Sequence, residues 1–448
     1  MVSLIIIPII IVLLVTLVLG SPVFTGIGFT AAFFLIICLG YNFIGQFGTI
    51  AFNQAVSSNQ LVAPMFILMA ELLSKGGLAE DIYYVLNKYL KKIKGGLAIS
   101  TTLACTIFAA MCGSSPATAA SIGKISVTEM GKRGYQKGFA AATVAAGGTL
   151  GVMIPPSVVL VGFGILTETS IAKLLVAGLL PGIMLAALLS VSIIIRVHFN
   201  PGLVGEEKMG GRKSRISQKM DHLREITENE TTTAKQDIVK IVPIAVLIVL
   251  IFGTMYTGIA TPTESAGVGV VGAFLILLFR RKINWKSFKD ACLGTSRVGV
   301  MIIFMMISGF CLTYVISYLG IATQISVAVA NCGLNRWIIM IAVYIVWLVL
   351  GCLMDTNAMI VLTIPFVFET LVSLGFEPLW IGVVSTLCIE IGMITPPVGL
   401  NLFVLKSSTD VSMGEIIKGA VPYVVILLIG LAILSVFPQI VLILPSTM

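Results

Sequence analysis

Long apolar runs alternate with short polar interruptions along this chain, and the run lengths predict membrane-crossing helices, each needing about 20 residues. Such runs fall near 3–19, 23–41, 61–75, 138–166 and 173–196. A second set falls near 239–257, 262–280, 298–318, 379–405 and 416–441. Two stretches fit no single span. Residues 95–130 carry no charge until Lys124, and residues 337–368 carry only Asp355. Each is too long for one crossing and too short for two with a turn, and each has a helix-breaking polar centre. The centres are Gly113-Ser114-Ser115-Pro116 and Asp355-Thr356-Asn357. Re-entrant hairpins that enter and leave on one face are predicted there.

The two sets are copies. Gly151-Val152-Met153-Ile154-Pro155-Pro156 returns 241 positions later as Gly392-Met393-Ile394-Thr395-Pro396-Pro397. The same offset pairs Gly134 with Gly375, Phe139 with Trp380, Gly178 with Gly419 and Pro181 with Pro422. Repeats with interrupted apolar segments at matching positions point to a secondary transporter and its binding site. Five crossings per repeat is an odd number, so the second repeat is expected upside down. The expected fold is an all-α membrane protein of two inverted repeats, with about ten crossings and two hairpins.

Composition agrees with that class. The 448 residues are 58% hydrophobic and 11% charged, with a mean hydropathy of +1.07, whereas soluble domains carry about a quarter charged residues. The first run has no basic residue before it and no small-residue cleavage site, so it reads as a retained helix rather than a signal peptide. The net charge of +8 is explained by orientation. From an outside N-terminus, 25 of the 28 Lys and Arg residues fall on the cytoplasmic face, the exceptions being Lys124, Lys173 and Arg336. Both termini are then outside, and neither a nucleic acid nor an acidic partner is called for. Eight cysteines without paired spacing read as structural thiols. The absence of HExxH and Walker A patterns removes the obvious enzyme classes and leaves an ion gradient as the driving force.

Chemistry concentrates at the interruptions. Proline has no N–H, so Pro155 and Pro156 release the carbonyls of Gly151 and Val152, and Pro396 and Pro397 those of Gly392 and Met393. Irregular backbone at membrane depth persists only where protein or a polar cavity satisfies it. Freed carbonyls beside hydroxyls and a carboxylate suit a hard cation such as Na⁺, and the helix N-termini after each break suit an anion. The hairpin tips add Ser114, Ser115 and Thr118 on one side and Asp355, Thr356 and Asn357 on the other. Glu390, just before the second break, either touches the cation region or pairs within the bundle. Glu264, after Thr261-Pro262, reads as a helix start, and Lys124 as a side chain that snorkels to water.

The organisation follows as scaffold helices in 1–95, then a transport unit in 96–172 made of hairpin 96–130 and broken helix 138–166. A connecting helix in 173–196 leads to a cytoplasmic connector in 197–237, where Ser217–Asn229 could form a surface helix. The second repeat gives scaffold helices in 238–336 and a transport unit in 337–410, with hairpin 337–369 and broken helix 379–405. A C-terminal helix occupies 411–448.

At Gly113-Ser114-Ser115-Pro116-Ala117-Thr118, Glu129 to Tyr135, Leu166 to Gly182 and above all Glu390-Ile391-Gly392-Met393-Ile394-Thr395-Pro396-Pro397-Val398-Gly399-Leu400-Asn401, the chain resembles the large membrane subunit of the TRAP family, the tripartite ATP-independent periplasmic transporters. The resemblance implies a sodium-coupled importer of organic anions in the inner membrane, an elevator, with no cofactor beyond the coupling ion. It implies two partners, an extracytoplasmic substrate-binding protein and a small four-helix membrane subunit, here a separate chain. Carried over by motif, sodium would sit around Gly113, Ser114, Ser115, Thr118 and Gly151, and around Asp355, Thr356, Gly392, Thr395 and Pro396. Ser157, Asn357 and Asn401 would face the substrate. Lys124, where relatives carry a small residue, and the long connector depart from the family pattern. The rival readings are a divalent-anion/sodium symporter that works without a binding protein, a channel, and an intramembrane enzyme.

Overall fold

A computed structural model of the chain describes residues 3–90, 93–204, 234–282 and 284–448. The possible surface helix at Ser217–Asn229 lies outside the described residues. Helices make up the fold, and no β-strand occurs among the described residues.

The first repeat runs α1 (Ser3–Val18), α2 (Val23–Leu39), α3 (Ile44–Ala55), α4 (Val62–Lys75), α5 (Leu78–Leu90), α6 (Gly96–Cys112), α7 (Ser115–Lys132), α8 (Lys137–Met153), α9 (Val158–Thr167) and α10 (Ile171–Phe199). The second runs α11 (Ala234–Tyr256), α12 (Pro262–Phe279), α13 (Trp285–Tyr318), α14 (Ile321–Asn331), α15 (Arg336–Gly351), α16 (Thr356–Ser373), α17 (Pro378–Met393), α18 (Leu400–Ser408), α19 (Met413–Val436) and the short α20 (Gln439–Leu442). The repeat offset carries the bounds of α7 onto those of α16 residue for residue, and the start of α8 onto the start of α17. The hairpins α6–α7 and α15–α16 and the broken helices α8–α9 and α17–α18 fall where the apolar pattern puts them.

With the broken pair α8–α9 counted as one, seven of the described helices are long and apolar enough to cross a membrane, or eight if the bent pair at Tyr41–Ala55 and Ser58–Lys75 also counts as one span. That is fewer than the ten crossings that hydropathy predicts. The difference arises because α1, α2 and α17 are only 16, 17 and 16 residues long, ended by Gly and Pro segments. One of the seven, α16, is instead a hairpin arm.

The expected spans at 61–75 and 298–318 also change. The first is the second limb of a helix that bends by 58° between Tyr41–Ala55 and Ser58–Lys75. Its counterpart α13 continues unbroken for 34 residues and starts well before residue 298. Three amphipathic helices, α3, α5 and α14, occupy segments that no apolar run marks.

Position within the molecule separates two kinds of helix. The most apolar window of α8–α9 is 94% buried, against 22% and 28% for α11 and α12. α8 packs among α6, α7, α10, α17 and α19, so the first broken helix is the centre of the fold. α4 and α13 contact each other and frame the hairpins from outside. Ion pairs tie this frame together. Asp81 on α5 meets Arg280 at 2.8 Å and Lys282 at 3.6 Å, and Lys88 pairs with Asp237 of α11. Thr261 and Glu264 form a reciprocal cap at the start of α12, the helix-start role expected for Glu264, and Lys124 is exposed.

Candidate functional site at the hairpin tips

The first tip is short. α6 ends at Cys112, Gly113 turns the chain with φ of +58°, Ser114 is extended, and Pro116 sits in the first turn of α7. Proline is tolerated there because that N–H has no helical partner anyway. Gly113 also has no room for a side chain, since a Cβ would come within 2.6 Å of the Pro156 carbonyl oxygen. The tip is therefore seated on the first break. Thr118 donates to the Ser114 carbonyl at 2.9 Å, and its hydroxyl lies 3.3 Å from the Cys112 sulfur.

At that break α8 stops at Met153 and α9 starts at Val158. Among the described residues no main-chain N–H reaches the carbonyls of Gly151 or Val152, as the two prolines require. Ser157 is fully buried and accepts from the Leu160 N–H at 3.2 Å as the cap of α9. It is not among the residues that line the cavity described below. A serine directly before an apolar run is a common cap signature.

The second tip and break are built alike but bonded differently. Asp355 caps α16, accepting from the N–H groups of Asn357 at 3.0 Å and Ala358 at 3.2 Å. One carboxylate oxygen is thus occupied by its own helix. The Gly399 N–H reaches across the break to the Cys352 carbonyl at 3.0 Å. The Gly392 carbonyl, expected to be free, accepts from the Thr395 N–H at 2.9 Å, because the chain tightens into a turn before the prolines. The Thr395 hydroxyl is engaged by the Ile391 carbonyl at 2.6 Å. Pro396 and Pro397 are exposed, whereas Pro155 and Pro156 are buried. Both proline pairs carry a cis peptide bond.

The two tips share a cavity of about 320 Å³. Gly113, Ser114 and Ser115 line it from one hairpin, and Asp355, Thr356 and Asn357 from the other. Thr118, Gly151, Gly392, Thr395, Pro396 and Asn401 are not among its lining residues.

Behind the wall the tips are joined by buried polar contacts. Asn401, fully buried, donates its side-chain amide to the Ser115 hydroxyl. The Thr356 hydroxyl lies 2.9 Å from a carboxylate oxygen of Glu390 and 2.8 Å from the Met393 sulfur. Ser115 lies beside the same carboxylate. Glu390, left open between two roles by sequence, is fully buried here and belongs to the tip junction. Its repeat counterpart Thr149 only bonds back to the Ala146 carbonyl.

Three buried oxygens in this region have no hydrogen-bond partner: Asn357 Oδ1, Asn401 Oδ1 and Glu390 Oε2. All three are acceptors. An unsatisfied buried polar group costs about 1–3 kcal/mol, and more for a charged one. Oxygen acceptors without donors are what a hard cation takes as ligands.

Comparison with known proteins places these features in context. Residues 10–440 match the family described as the DctM component of the tripartite ATP-independent periplasmic transporters. The C4-dicarboxylate TRAP transporter large permease protein DctM of Pseudomonas aeruginosa is 35% identical over 387 residues, 86% of each chain. The protein of the same description from Vibrio cholerae is 30% identical over 444 residues, 94% of this chain and 93% of its own. Among solved structures, the Alcanivorax borkumensis YdaH transporter superposes with a TM-score of 0.62 over 90% of each chain at 14% identity, a likeness of fold alone.

Proposed function

The chain belongs to the DctM component family of the tripartite ATP-independent periplasmic transporters, and from that premise we propose that it imports an organic anion across the inner membrane with Na⁺ as the coupling ion. It is a multi-pass membrane permease and not an enzyme. The family assignment supports this reading over a channel, an intramembrane enzyme or a symporter that works without a binding protein. In this reading the anion is handed over by an extracytoplasmic binding protein, and a separate small four-helix subunit completes the membrane part. A C4-dicarboxylate or a sugar acid is the substrate class in view.

The observation that carries the sodium reading is the set of donor-less oxygens around the tips. Asn357 Oδ1, Asn401 Oδ1, Glu390 Oε2 and the carbonyls of Gly151 and Val152 can only accept. The cavity wall at Gly113–Ser115 and Asp355–Thr356 would hold the ions, with Thr118, Gly392, Thr395 and Pro396 keeping the breaks in shape from behind. The first turns of α7 and α16 open onto the same space, and N–H groups at helix starts suit a carboxylate. Both tips lie against the frame helices α4 and α13, so sliding of the hairpin-bearing unit past them, with the repeats inverted and both termini outside, would expose the cavity to each side in turn.

The test is uptake by the reconstituted three-part transporter. Replacing Na⁺ with K⁺ or choline should abolish accumulation. Undiminished uptake without Na⁺ would refute the coupling.

A further inference from the structure

The frame helices supply one wall of the cavity, and that wall carries a charge of its own. α4 contributes Glu71 and Ser74, and α13 contributes Val298, Met301 and Ile302. Glu71 is half-buried. Its carboxylate lies over Gly294 of α13, where a Cβ would approach the carboxyl carbon to 3.2 Å. It is also close enough to Cys112, at the end of α6, for the two to interact electrostatically. Among the described residues Glu71 makes no ion pair and no hydrogen bond. Lys75, one turn further along α4, is exposed and does not reach it.

None of the residues lining the cavity is Lys, Arg or His. One end can receive a carboxylate on the helix starts at the tips. The frame-side wall presents Glu71 as its one charged side chain. Asp355, the other acid on the lining, has an oxygen tied to two N–H groups of its own helix, which offsets its charge. Glu71 has no such offset. A dianion spanning this space would press its second carboxylate against a like charge with no cation to neutralise it. A molecule with an ammonium at that end would instead give Glu71 its missing partner, and partly buried charges are seldom left unpaired.

Taking the cavity as the substrate site, as in the reading above, we propose that Glu71 is a specificity-determining residue that favours zwitterions, with a carboxylate at one end and a cationic group at the other, over dicarboxylates. This narrows the carboxylate class named above to carboxylates that also carry a cationic group, and sets C4-dicarboxylates aside. Selectivity then resides partly in the membrane subunit rather than wholly in a delivering protein.

Two four-carbon probes isolate the effect: 4-aminobutyrate and succinate differ by an ammonium in place of a carboxylate. Binding of each to the purified full-length chain in lipid nanodiscs is measured by calorimetry at high NaCl. The wild type should bind 4-aminobutyrate at least about tenfold more tightly, the size of one unfavourable charge contact of about 1.4 kcal/mol. Glu71→Gln should reduce that preference to less than about threefold, and Glu71→Asp should keep it, with unchanged melting temperatures excluding misfolding. A wild-type preference for succinate, or a ratio that Glu71→Gln leaves unmoved, overturns the role of Glu71 while the cavity stands as the binding site. If neither probe binds the wild type although the complete transporter takes up its substrate, the cavity is not the site and both readings fall.

Discussion

Asn401, in the short helix after the second break, hydrogen-bonds the hydroxyl of Ser115 at the tip of the first hairpin, 286 positions earlier in the chain. The two repeats are therefore joined, hairpin tip to helix break, by a buried side-chain bond. Asn401→Ala and Ser115→Ala should each lower stability by about 1–2 kcal/mol, the usual loss for a buried neutral bond. The double variant should lose less than the sum, by at least about 0.5 kcal/mol. Thermal unfolding of the four proteins checks this, and strict additivity would argue that the two residues act separately.

Glu390 should matter more for ions than for folding. Glu390→Gln keeps an acceptor for the Thr356 hydroxyl but removes the charge, so the chain should still insert and fold. Uptake should drop by more than about tenfold, because a buried carboxylate is the strongest available counter-charge for a cation. The sodium concentration for half-maximal uptake should rise as well. A sodium titration matching the wild type would show that Glu390 only packs the bundle.

Asp355 combines two roles that substitution can separate. Asn caps a helix about as well as Asp, whereas Ala at such a position loses about 0.5–2 kcal/mol. Asp355→Asn should match the wild type in stability, and Asp355→Ala should not. Both should lose sodium-driven uptake. Normal transport by Asp355→Asn would reduce Asp355 to a cap.

Gly113→Ala tests the seating of the first tip. Its φ of +58° disfavours any L side chain, and the added Cβ would collide with the Pro156 carbonyl. Strain and overlap together should cost about 2 kcal/mol or more, read as faster hydrogen exchange across the tip and a loss of uptake. Gly131, helical and with open space around it, is the control. Gly131→Ala should be neutral or slightly stabilising.

Much of this site was legible in the sequence because proline acts locally. Wherever the chain runs, Pro155 and Pro396 cannot donate, so a break at each is dictated before any packing is considered. The tips were legible for a similar reason, since Gly113-Ser114-Ser115-Pro116 and Asp355-Thr356-Asn357 interrupt runs that are otherwise apolar. What stayed hidden depends on which face of a helix meets which neighbour. Glu390 could not be assigned, because its partner Thr356 comes from another helix. The capping role of Ser157 went unread although its position before Val158 is a cap signal. The amphipathic helices α3, α5 and α14 escaped because averaging over an apolar window erases a two-sided pattern. Glu71 escaped for a related reason. It is a single acid near the end of a span, and only the approach of α4 to the first hairpin gives it a setting.

The mismatch between α3–α4 and α13 has a mechanical consequence. One flank of the hairpins is braced by an unbroken rod of 34 residues, the other by a strut with an elbow of 58°. Load applied to the rod is transmitted along its whole length. At the elbow it can be absorbed by changing an angle. Matched halves at the centre thus sit in an asymmetric chassis, and under the proposed sliding movement give should concentrate at residues 56–57.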